Sequence, residues 1–144
     1  MHNWLILIYK IPPKPTSTRV YVWRKLKKLG SILLHDAAWI LPSNSRTWEQ
    51  FQWLASEIIE LGGEATLWES ESALFGQEEA IIQQFVAQVE PDYEDIIQEL
   101  KQTDPDLVIL SRKYQQLQLQ DYFKCELGQI VREALLTARG GENE

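Results

Sequence analysis

The run Trp4–Ile11, WLILIYKI, is apolar at every position but Lys10, and Pro12, Pro13 and Pro15 close it. A bilayer span needs about 20 apolar residues, so this run is too short to be an anchor. The prolines bar continuation as a helix or a central strand beyond Ile11. Apolar side chains fall on both sides of the two-residue alternation, so the run reads as a strand covered on both faces. Such a strand needs a partner along each edge, and the following sequence must supply them.

The next segments do so. Thr16, Ser17 and Thr18 offer an N-cap for a helix that runs to about Leu29, with Gly30 as its C-cap. Val22, Leu26 and Leu29 form its inner stripe, with Trp23 beside them. SILLHDAAWILP then reads as two short strands, about 31–35 and 37–41, joined by a tight turn at His35–Asp36. Ser43 to Ser45 cap a second helix from about Arg46 to Leu61. Its core face is Trp48, Phe51, Ala55 and Ile58, and Gly62–Gly63 closes it. EATLWES is a fourth strand. The order strand, helix, strand, strand, helix, strand predicts an α+β fold, a ferredoxin-like βαββαβ sandwich of two helices on a four-stranded antiparallel sheet over residues 1–72.

From Gly76 the periodicity is helical. Ile81, Ile82, Phe85, Val86 and Val89 form one stripe, which Pro91 is expected to break. Tyr93, Ile96, Ile97 and Leu100 form the next. Asp104–Pro105 opens a segment with Leu107, Leu110, Tyr114 and Leu117 inside, and a last helix carries Leu127, Ile130, Val131, Ala134 and Leu135. Residues 73–140 are thus expected to form a helical extension packed on the first unit, one structural domain overall, with a frayed tail at 141–144. Most of the six tryptophans, Trp4, Trp23, Trp39, Trp48, Trp53 and Trp68, are expected in the core. Trp53, off its helix's inner stripe, is the candidate for an interface.

The net charge of −7 argues against a generally sticky nucleic-acid binder. The charge is unevenly spread, however. Lys10, Lys14, Arg19, Arg24, Lys25, Lys27 and Lys28 are seven of the 14 basic residues, and no acid precedes Asp36. Residues 49–108 hold 15 of the 21 acidic residues against one base, Lys101. On the first helix Tyr21, Arg24, Lys25 and Lys28 share a face, and Lys27 adjoins them. An aromatic among four cations suits a phosphate backbone, held by charge and stacking. A solvated outer face fits the same residues. Lys14, Thr16, Ser17, Thr18 and Arg19, at the helix start, suit a small tetrahedral oxyanion or ordinary capping.

Neither a catalytic group nor a metal or cofactor site is expected. His2, His35 and Cys125 are too scattered to propose a metal site from spacing. His35–Asp36 has no accompanying nucleophile, and Asp36 fits a turn residue. Cys125, beside Lys124, offers a redox reading, but a lone cysteine on an amphipathic helix is more often a small core residue. A single cysteine and no signal peptide make a cytoplasmic location the default, away from the membrane.

YKIPPKP, RVYVWRKLKKLGSILLHDAAWILPSN and LASEIIELGGEATLWES, taken in order, resemble the N-terminal domain of the chromate-resistance regulator ChrB. SRKYQQLQLQDYF resembles that family's helix ending in Asp-aromatic-Phe, so the likeness extends over about residues 3–125. More distantly, residues 5–69 are similar to the ferredoxin-like core of PaaX repressors and to small CRISPR-associated adaptor/nuclease subunits. Those subunits carry a metal-binding aspartate at the end of the first strand. Here that place is taken by Lys10, which repels a divalent cation and argues against metal-dependent nuclease activity.

The resemblance implies a non-enzymatic regulator associated with chromate resistance that contacts DNA through the basic first helix, with chromate or sulfate as the oxyanion. The alternative is a protein-interaction module without nucleic-acid binding. A homodimer is expected under either reading, and a separately encoded C-terminal ChrB-type domain is a candidate partner.

Overall fold

The computed structural model describes residues 2–74 and 76–142, with side chains to residue 140. The elements are β1 (Asn3–Lys10), α1 (Thr16–Lys28), β2 (Ile32–Leu34), β3 (Ala38–Pro42), α2 (Ser45–Glu60), β4 (Glu64–Glu71), α3 (Gln77–Leu100), α4 (Leu107–Gln120) and α5 (Glu126–Glu142). They form two compact units, Met1–Ile81 and Ile82–Glu144. No helix among the described residues is long and apolar enough to cross a membrane.

In the first unit the sheet order is β2-β3-β1-β4, and every neighbouring pair is antiparallel. This is the α+β arrangement the sequence predicts. β1 receives a partner on each edge: Leu5 pairs with Leu41 of β3 and Glu69 of β4, and Leu7 with Trp39 and Leu67. Leu5, Leu7 and Leu41 are fully buried, as are Val22 and Leu26 of α1 and Phe51 and Ile58 of α2. Each such side chain contributes roughly 1.5–3 kcal/mol of transfer free energy. Trp48 of α2 donates its indole N–H to Glu69 Oε2 at 2.8 Å, which ties the helix to the Leu5 face of the sheet.

Local signals set the boundaries of these helices. Gly30 and Gly62 follow α1 and α2 with φ of 76° and 92°. Each donates to the carbonyl three residues back, and the next residue donates to the carbonyl five back: Ser31 to Leu26 at 3.2 Å and Gly63 to Ile58 at 2.9 Å. That is a Schellman ending, which glycine's freedom at positive φ permits. α2 starts with a capping box, Asn44 Oδ1 accepting from Thr47 N and Thr47 Oγ1 from Asn44 N, both at 2.9 Å. α1 starts differently. Its N-cap is Pro15, with no side-chain cap bond, so the Thr16–Thr18 hydroxyls do not play the capping part expected of them. Proline, with φ preset near the value found, already turns the chain into the helix.

The second unit is helical. Its core joins Val89, Tyr93 and Ile96 of α3 to Leu110 of α4 and to Val131 and Leu135 of α5. Pro91 does not break α3, contrary to expectation. The buried stripe Phe85, Val89, Tyr93, Ile96 continues past it at helical spacing, while Pro91 itself is exposed. Packing on both sides offsets the loss of one backbone hydrogen bond. α4 is capped by Asp106, whose Oδ1 accepts from Val108 N and Ile109 N at 3.2 Å. α5 is traced to Glu142, and the last two positions of the expected frayed tail lie outside the described residues.

The β2–β3 turn places His35 and Asp36 both at positive φ, 51° and 59°, with Ala37 N donating to Leu34 O at 3.0 Å. These are the dihedrals of the turn that normally selects Asn-Gly, here within a three-residue loop between the paired Leu34 and Ala38. Replacing Asp36 with glycine is therefore expected to stabilise the protein by about 1 kcal/mol. Thermal unfolding checks it, with an expected rise in Tm of about 3 °C.

Candidate nucleic-acid interface

A helix on a sheet exposes more than one face, and α1 divides its residues among three. Val22 and Leu26 point into the core. Tyr21, Arg24, Lys25 and Lys28 lie along an outward stripe, all exposed. Thr16, Arg19, Val20 and Trp23, spaced i, i+3, i+4, i+7, form a third stripe, and Lys27 stands one turn beyond Trp23 on that side. The five expected nucleic-acid contacts are thus all at the surface, but Lys27 is set apart from the other four.

Tyr21 is held in place. Its hydroxyl donates to the Glu57 carboxylate of α2, which raises the phenol pKa above its usual value. Lys25 Nζ lies 5.5 Å from the Tyr21 ring centroid, within cation–π range. The outward stripe therefore presents a positioned aromatic flanked by exposed cations. Lys25, Lys27 and Lys28 occupy the last turn of α1, where positive charge also complements the helix dipole.

The third stripe borders a cleft of about 600 Å³. Lys10 reaches it from the end of β1, Thr16, Arg19 and Trp23 from α1, Asp36 from the hairpin turn and Trp39 from β3. Tyr9 also lines it. Burial raises the Tyr9 hydroxyl pKa, while a hydrogen bond from Trp39 and the nearby Arg19 charge pull it down. Of the five residues expected to hold an oxyanion, the structure brings Thr16 and Arg19 to this cleft. Lys14, Ser17 and Thr18 are not among its lining residues. Gly63 passes close to the end of β1, where a Cβ would fall 2.6 Å from the Lys10 carbonyl oxygen.

The aromatic walls were not legible as a site. Trp23 was expected beside the core, yet it is 52% exposed, and Trp53 and Trp68 are 59% and 58% exposed. For Trp23 the signal was present: it falls at i+7 from Thr16, off the Val22–Leu26 stripe. Asp36 carried no such signal, because the turn delivers it from a distant part of the sequence.

A family model described as "Protein ChrB, N-terminal" matches residues 19–108, from within α1 to the start of α4. The chain belongs to the ChrB N-terminal family. The matched span includes Tyr21, Arg24, Lys25, Lys27, Lys28, Arg19, Trp23 and Asp36, but not β1 with Lys10. It is narrower than the resemblance over residues 3–125, and the segment SRKYQQLQLQDYF lies beyond it. Protein ChrB of Cupriavidus metallidurans is 32% identical over 60 residues, which are 42% of this chain and 18% of that relative. The chain thus spans less than a fifth of the curated ChrB protein it matches. No solved structure matches.

This ChrB-family chain also holds a polar cluster in its helical unit. Tyr93 Oη donates to Asp121 Oδ2 at 2.9 Å, Cys125 N donates to Asp121 Oδ1 at 3.1 Å, and Cys125 Sγ lies 3.6 Å from Asp121 Oδ2. A hydrogen bond to a charged group is worth about 1.5–3 kcal/mol. Burial first, and then the Asp121 charge, push the Cys125 thiol pKa up, although backbone amides at Gly128 and Leu127 oppose this. The neighbouring Lys124 does not make Cys125 a thiolate. Iodoacetamide should therefore alkylate Cys125 slowly at neutral pH, with the rate climbing as pH passes above the ordinary thiol range. Asp121→Asn removes the repelling charge and should speed the reaction at neutral pH. An alkylation rate equal to that of a free thiol would contradict this placement.

Proposed function

We propose that this chain is a non-enzymatic regulator of the ChrB type, associated with chromate resistance, that contacts DNA along the outward stripe of α1. The observation that supports this reading is the exposed set Arg24, Lys25 and Lys28 around a Tyr21 already positioned by Glu57. Positioning lowers the ordering cost of contact, and the cations exchange counterions for phosphates. With a net charge of −7, attraction to a polyanion must come from local clusters of cations, and α1 carries five of the 14 basic residues within ten positions, Arg19 to Lys28. Contacts of this kind place a protein on a duplex without reading bases.

Fluorescence anisotropy with DNA from upstream of the gene, across a salt series, tests the reading. Each lost phosphate contact lowers the slope of log affinity against log salt by about 1. The variant with Arg24, Lys25 and Lys28 all replaced by alanine should therefore bind more weakly, with a slope shallower by about 3. Unchanged affinity would remove α1 from the interface.

A second reading, a protein-interaction module without nucleic-acid contact, draws support from the exposed Trp53 of α2 and Trp68 of the edge strand β4. Its candidate partners are a second copy of the chain and a separately encoded C-terminal ChrB-type domain. Under this reading the partner co-purifies equally well after nuclease treatment, and Trp53→Ala weakens its capture on the order of tenfold or more. Loss of capture on nuclease treatment would favour the DNA reading instead.

A further inference from the structure

We propose that the cleft bordered by Lys10, Arg19, Trp23 and Asp36 is a nucleotide-binding site, with phosphate at the cations and the base against the Trp23 indole. Its volume of about 600 Å³ falls within the range of about 300–1,000 Å³ typical of small-molecule sites. That is far more room than a tetrahedral oxyanion fills. Its lining also asks for more than an oxyanion. Trp23 keeps 52% of its surface exposed on the rim, and the buried Trp39 supplies a fixed aromatic wall. Exposed indole at a cleft mouth is a stacking platform that every nucleobase can use.

The charges point the same way. Among the described residues, neither Lys10 nor Arg19 forms an ion pair, and neither does Asp36. Two cations therefore stand ready for a phosphate. Asp36 would repel a bare anion, so the ligand that satisfies all three must bring a hydrogen-bond donor as well as negative charge. A nucleobase with ring or exocyclic N–H groups does this, and guanine offers two adjacent donors to one carboxylate. The turn holds Asp36 at positive φ, a conformation that a smaller glycine would adopt more readily. The cleft uses a different stripe of α1 from the one proposed to meet duplex DNA, so either site can fail while the other stands.

Titration of the full chain with guanosine, adenosine, cytidine and uridine monophosphates, followed by tryptophan fluorescence and calorimetry, tests the proposal. Inorganic phosphate and a single-stranded oligonucleotide with a 5′-phosphate serve as further probes. Saturable quenching is expected, with guanosine monophosphate bound more tightly than uridine monophosphate and much more tightly than inorganic phosphate. Trp23→Ala and Arg19→Ala should each weaken binding on the order of tenfold, and Asp36→Asn should erase the preference among bases. All three side chains are exposed, and circular dichroism confirms that the variants fold. Quenching by the free nucleotides identifies a mononucleotide site, and quenching by the oligonucleotide alone identifies a strand-end site. The proposal is overturned if no nucleotide probe binds saturably, if phosphate binds as tightly as guanosine monophosphate, or if Trp23→Ala leaves affinity unchanged.

Discussion

The first unit depends on β1 being satisfied along both edges. Leu5 and Leu7 are fully buried, and their backbone groups have no alternative to the ladders of β3 and β4. From that pairing follow the sheet order, the position of α2 against the Leu5 face and the direction in which the prolines release the chain into α1. Lys10 sits where the strand must stop. It answers the prolines on one side and the close approach of Gly63 on the other. The lysine at the end of an otherwise apolar run is thus a rim residue, exposed beside a cleft and not buried in the strand.

α1 shows how one amphipathic segment serves several purposes. Its core stripe is narrow, Val22 and Leu26, which leaves more than half of the helix surface for other uses. The outward stripe gathers cations around Tyr21, and the remaining stripe meets the hairpin turn and the end of β1. Because the stripes diverge around a rigid helix, Lys27 and Lys28 face different sides although they are neighbours in sequence. Charge clustering in the sequence was visible at once. Its division between a convex face and a concave one depends on which side of α1 the sheet occupies.

Strong local signals were legible. The helix endings at Gly30 and Gly62, the hairpin at His35–Asp36 and the strand in Trp4–Ile11 all rest on backbone chemistry that needs no partner to be recognised. The failures share a different origin. Pro91 was expected to end a helix, and packing of Phe85 through Ile96 carried the helix past it. Thr16–Thr18 were expected to cap, and Pro15 took the N-cap position. Most tryptophans were expected in the core, yet Trp23 and Trp68 are largely exposed, because a helix face or an edge strand has sides that no other element covers, while Trp53, set apart as off its helix's inner stripe, is exposed as that position implies.

By itself the amino-acid order determined the βαββαβ pattern, the cationic first segment and the absence of a carboxylate at the end of the first strand. Each of these is a matter of short-range periodicity or composition. Only the tertiary structure decided that Asp36 joins Lys10 and Arg19 at one cleft, that Glu57 pins Tyr21, and that burial, with Asp121, raises the Cys125 thiol pKa. These groups lie on separate elements. The side chain of each has no preferred neighbour until backbone pairing and core burial have brought the elements together.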